Sequence, residues 1–150
     1  MRNGANGFGA IRSDMALLLD TCATIWLALG EPVSAETSDA VRGAATSGEP
    51  TYVSPITAWE IGMLAARGRM NLLMAPERWF ERLLEAPGLR LADMSPHILI
   101  ASSYLPGAPP NDPADRILAA TAREYGYTLV TRDRPLLDYA AQGHVLALAC

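Results

Sequence analysis

What most constrains this chain is the alternation of short apolar runs with segments of helical period. MALLLD (Met15 to Asp20) is continuously apolar until it ends in an acid, the pattern of a strand buried on both faces. TCATIWLALG then reads as a helix stopped by Gly30, Ser34 to Gly48 as an Ala-rich helix, and TYVS (Thr51 to Ser54) as a second strand. Pro55 suits the first turn of a helix running through ITAWEIGMLAARG to near Gly68. From Ala75, APERWFERLLEA is amphipathic, with Trp79, Phe80, Leu83 and Leu84 on one side. LRLADM (Leu89 to Met94) predicts a third strand and HILIASSYL a helix ended by Pro106. A helix from Pro113 to Tyr125, closed by Gly126, leads to a fourth strand, YTLVT (Tyr127 to Thr131). RPLLDYAAQ is a short helix and HVLALA a last strand. Parallel neighbours need crossover helices, which cover both faces of the sheet. The expected fold is therefore three-layer α/β, with a central, mainly parallel sheet of about five strands.

With 150 residues, half of them hydrophobic, the chain can bury one substantial core. One domain is expected over 15–150, with the Gly-rich start MRNGANGFGAIRSD, residues 1–14, a disordered lead-in or start-site artefact. Two cysteines, Cys22 and Cys150, make neither a disulfide framework nor a zinc spacing, which favours a reducing compartment and the cytoplasm as default. No apolar run approaches the roughly 20 residues of a membrane span, so no membrane association is expected. All twelve basic residues are arginine, which excludes a P-loop lysine and Schiff-base chemistry. The net charge of −4 argues against nucleic acid as a partner, unless the acids hold cations that reverse the local sign.

Such acids are present. In a parallel sheet the working face lies beyond the carboxyl ends of the strands, where Asp20 follows the first strand and Asp133 the fourth. Taken singly, Asp20 reads equally well as a helix N-cap and Asp133 as a turn residue before Pro135; their shared placement favours function. Glu60 has Ile56, Thr57, Met63 and Leu64 three and four positions away, a mostly apolar surround that calls for a compensating partner. That partner is either Arg67 or Arg69, or a divalent cation. In NDPADRILAATA, Asp112 and Asp115 flank the first turn of a helix, where either can cap it or ligate metal. Oxygen ligands without obligatory His or Cys select Mg²⁺ or Mn²⁺. His97 and His144 lack companions at ligand spacing, there is no G-x-S-x-G, and Gly7-Phe8-Gly9 is not a dinucleotide fingerprint. A haloacid-type phosphatase would want a second acid two residues after Asp20, and position 22 is cysteine.

The order Asp20, Glu60, Asp115, Asp133, with LLLDTCATIW, YVSPITAWEIGMLAARGRMNL, DPADRILAATA and VTRD around them, resembles the PIN-domain ribonucleases. More narrowly it looks like the VapC-type toxins of toxin–antitoxin pairs, along essentially the whole domain. The resemblance implies a PIN fold that cuts RNA with divalent metal, Mg²⁺ or Mn²⁺, is often a homodimer, and is inhibited by a small VapB-type antitoxin. It makes Asp20, Glu60, Asp115 and Asp133 the catalytic, metal-holding acids, assigns Thr131 to the hydroxyl position of T-x-D, and leaves Asp112 chiefly as the cap. Similar sequences often carry His at the positions of Cys22 and Pro110. Arg67, Arg69 and Arg116 are candidates for phosphate contacts, since guanidinium matches phosphate bidentately. The alternative from another class is a non-catalytic PIN-like RNA- or protein-binding module, which a missing site acid would favour.

Overall fold

A computed structural model describes residues 16–150, so the expected lead-in lies outside the described residues. The chain order is β1 (Leu17–Leu19), α1 (Thr21–Leu29), α2 (Ala35–Ser47), β2 (Thr51–Val53), α3 (Pro55–Ala66), α4 (Pro76–Leu84), β3 (Leu89–Leu91), α5 (Pro96–Ala101), α6 (Pro113–Tyr125), β4 (Thr128–Thr131), α7 (Arg134–Ala141) and β5 (Leu146–Ala149). The five strands form one parallel sheet in the order β3-β2-β1-β4-β5. The chain therefore fills one side of β1, returns, and fills the other. That reversal puts the switch point of the sheet between β1 and β4, where open α/β sheets place their ligand crevices.

β1 is central because all three of its leucines are apolar and can be buried from both faces at once. Leu17 and Leu19 point into a cluster with Ala23, Ala44, Val53, Val130 and Leu148, beneath α1 and α2. Leu18 points the other way, among Leu118, Ala119, Leu129, Leu136 and Tyr139, beneath α6 and α7. The period-2 alternation of the strand thus divides the core into two layers.

Two expected elements are shorter than their apolar patterns. The third strand stops at Leu91 rather than Met94. α5 stops at Ala101 rather than near Pro106, because its last turn tightens: Ser103 and Tyr104 bond back only three residues, and the Ser102 hydroxyl donates to the Leu99 carbonyl at 2.6 Å. The apolar stripe of α4 is half-buried, and Phe80 packs on the core. Much of that stripe is therefore used within the chain, and it does not by itself argue for a subunit interface. No helix of the described residues is long and apolar enough to cross a membrane.

The Pro-rich segment before α6 is tied down from α7. The Tyr139 hydroxyl donates to the Pro106 carbonyl at 2.6 Å, and the Gln142 side chain accepts from Ala108 N–H at 3.2 Å. Between them Gly107 adopts φ 70°, and a Cβ there would run into the His144 ring. Gly107→Ala is expected to cost more than about 1 kcal/mol, from backbone and overlap together. Denaturant unfolding of the two proteins checks this.

Candidate active site

Asp20, Asp112 and Asp133 are each placed by a helix start. Asp20 ends β1 and caps α1: its Oδ1 accepts from Ala23 N–H at 2.7 Å, and its Oδ2 accepts from the Thr131 hydroxyl at 2.5 Å. Asp133, two residues past β4, caps α7 through Leu136 N–H at 3.2 Å, and its own N–H donates to Thr131 Oγ1 at 3.0 Å. It is therefore a helix cap as well as the turn residue the sequence suggests. Thr131, fully buried, links the two acids across the switch point. Asp112 caps α6 through Asp115 N–H at 3.0 Å, with Pro113 at the first helical position, leaving the Asp115 side chain one turn into the helix.

Glu60 reaches the same region from α3. Its surround is less apolar than the helix positions alone suggest, because the Thr21 hydroxyl of α1 donates to Oε1 at 2.6 Å and lies 3.2 Å from the Thr57 hydroxyl. Neither Arg67 nor Arg69 compensates it: among the described residues Glu60 makes no ion pair, and the charges acting on it are those of Asp112 and Asp20. Thr21 was not singled out from the sequence. Its signal was its place directly after the first acid, but its partner lies thirty-nine residues on.

The electrostatics report the crowding. Burial pushes the Asp115 carboxyl up to about 7, helped by the charges of Asp133, Asp112, Glu60 and Asp20. Burial also raises Asp20, against the opposing hydrogen bonds from Thr131 and Ala23, and raises Glu60 against that from Thr21. Cys22 stands exposed beside these groups, and its thiol is pushed up by burial of part of the side chain and by Asp20, Glu60, Asp133 and Asp115. The thiol therefore stays protonated at neutral pH, and the donors on offer are hard carboxylate oxygens.

Among the described residues, no three His, Cys, Asp or Glu side chains are gathered closely enough to enclose a cation as they stand. Mutual repulsion opposes closer approach of like charges. The donor chemistry nevertheless fits a hard divalent ion: four carboxylates from four segments act on one another's charge, and each ionised carboxylate has about four lone-pair sites, of which the caps use only part.

The other expected residues lie elsewhere. Arg116 acts on Tyr139, and its Nη1 is buried without a hydrogen bond among the described residues. Arg67 and Arg69 lie past the end of α3. His97 pairs with Glu124 at 3.0 Å and His144 packs on Tyr139.

Fold and site together define a parallel α/β protein with Asp20 and Asp133 at the switch point of the sheet and Asp115 and Glu60 within reach of their charge. Residues 17–142 match the family described as PIN domain, and the chain belongs to that family. It is 34% identical over 124 residues to "Ribonuclease VapC22" of Mycobacterium tuberculosis, an alignment that spans 82% of this chain and 91% of that protein. Among solved structures it is similar to VapBC2 from Rickettsia felis bound to a DNA fragment from their promoter, with a TM-score of 0.64 and 15% identity over 90% of this chain and 98% of the other. FitAcB from Neisseria gonorrhoeae follows at TM-score 0.51 and 23% identity, over 89% and 96% of the two chains. At those identities the structures speak for the fold.

Proposed function

We propose that this chain is a Mg²⁺- or Mn²⁺-dependent endoribonuclease, the toxin of a type II toxin–antitoxin pair, restrained by a VapB-type antitoxin. The observation that carries the reading is that Asp20, Glu60 and Asp133, from three other segments, all act on the charge of Asp115, whose carboxyl burial, helped by those charges, pushes up to about 7. The relative named Ribonuclease VapC22 supports RNA as substrate and, through its VapC name, an antitoxin partner.

The four acids would hold the cation. When bound, a divalent ion supplies an activated water and charge stabilisation at a phosphate. The chain's own residues prepare for that. Thr131 holds Asp20 against rotation and ties its position to Asp133. Thr21 fixes Glu60 through one oxygen. The cap bonds of Asp20, Asp112 and Asp133 anchor those side chains to rigid helix starts, and the positive ends of α1, α6 and α7 temper the accumulated negative charge. No side-chain nucleophile is needed.

The test is cleavage of single-stranded RNA by the purified chain, freed of antitoxin, with Mn²⁺ or Mg²⁺. Cleavage should stop in EDTA and return when metal is restored. Undiminished cleavage with the metal demonstrably removed overturns the proposed mechanism. The homodimer rests on the family resemblance, and light scattering reads it directly: a monomer mass at high protein concentration counts against it.

A further inference from the structure

An acidic site must still capture a polyanion. At the carboxyl end of the sheet, between the linking Thr131 and the acid Asp133, stands Arg132, an exposed residue. Its guanidinium lies 3.9 Å from the centroid of the Trp26 ring on α1, and its Nη2 donates to the backbone oxygen of Cys150 at 3.0 Å. Two independent contacts therefore fix a side chain that would otherwise sample many rotamers. Its charge acts on Asp20, yet it forms no ion pair with that or any other Asp or Glu side chain of the described residues. A guanidinium has five N–H donors, and here the backbone oxygen and the thiol of Cys150 engage only part of them. The neighbouring arginines are engaged differently: Arg134 pairs with Asp138 at 3.4 Å, and Arg123 donates to the His144 carbonyl.

We infer that Arg132, laid on Trp26 beside the acids, binds a phosphate of the single-stranded RNA adjacent to the one being cut. The inference rests on the ribonuclease reading. The physical grounds are that stacking on an aromatic ring spends the flat face of a guanidinium, while its edge keeps the fork that matches phosphate bidentately. Trp26 is a positioning residue that holds the fork in place. A group that meets a flanking phosphate contributes to binding in ground and transition states alike, so it sets KM and leaves kcat nearly unchanged.

The experiment is steady-state cleavage of a single-stranded oligoribonucleotide by the full chain with Mn²⁺, repeated across a series of salt concentrations. Arg132→Ala should raise KM about tenfold, with kcat held within about twofold. The slope of log(kcat/KM) against log[salt] should flatten by about 0.7, the signature of one lost phosphate contact on a single strand. Arg132→Lys keeps the charge and should restore the slope while KM stays raised, because the bidentate fork is gone. Trp26→Leu should likewise raise KM at unchanged slope. A purely structural Arg132 would move the melting temperature and leave the slope alone. An Arg132→Ala protein with wild-type KM and slope overturns the inference. A wild-type chain that cuts no RNA overturns the function on which it rests, and is seen before any variant is made.

Discussion

The Asp115→Asn variant is expected to lose RNA cleavage by more than about two orders of magnitude, the scale on which one active-site electrostatic contact acts. The same variant should be the more stable of the two proteins above pH 7 when metal is absent. Both effects have one cause. Asp115 is half-buried among like charges that make ionisation costly, and the amide keeps the shape while removing the charge. After allowance for the solvent that still reaches the side chain, the gain is on the order of 1–2 kcal/mol. Asp112→Asn, in contrast, retains a residue that caps well, and should cost under ~1 kcal/mol with activity only partly reduced. Cleavage rates and melts of the two variants side by side separate ligand from cap. A dead Asp112→Asn protein beside an active Asp115→Asn protein would reverse the two roles.

The second large effect is the response of stability to pH and metal together. In the folded chain Asp115 holds its proton up to about pH 7, whereas an unfolded Asp releases it near ~4. Between those values the folded state binds more protons than the unfolded one. Stability from this group is therefore complete at low pH and is lost as pH rises through the window. Asp20 and Glu60 are raised too, and add in the same direction. Metal-free protein should melt at higher temperature near pH 5 than near pH 8, opposite to a domain held together by paired carboxylates. Mn²⁺ should cancel the difference, since a cation replaces the proton as the neutralising charge. At a hundredfold excess over Kd it contributes about 2.7 kcal/mol, or roughly 5–10 °C in Tm for a domain of this size. A melting temperature that climbs from pH 5 to 8 in EDTA, or that ignores Mn²⁺, would show that these acids do not form one electrostatic unit.

Much of this was legible in the chain because single elements announce themselves. Leu17–Leu19 is apolar at every position, and such a run can be satisfied only at the centre of a covered sheet. Asp112, Pro113 and Gly126 mark both ends of α6 by local backbone chemistry alone. What the chain hid lies in contacts between distant segments. The apolar neighbours of Glu60 on α3 predict an unhappy carboxylate, and nothing local says that Thr21 will meet it from α1. The stack of Arg132 on Trp26 joins residues more than a hundred positions apart, so no periodicity could reveal it. The early end of α5 was lost for a different reason: Ser102 competes for the helix carbonyls, and an apolar pattern does not register that competition.

Three of the acids at the switch point also begin helices, and an asparagine begins a helix about as well as an aspartate. One base change converts an Asp codon into an Asn codon. For a toxin, a silent twin that folds, displays the same surface and cuts nothing is therefore a single nucleotide away, reached without passing through an unstable protein. Cells under pressure from an unrestrained copy should yield survivors with such exchanges at Asp20 or Asp133, and those survivors should still accumulate a soluble, antitoxin-binding chain.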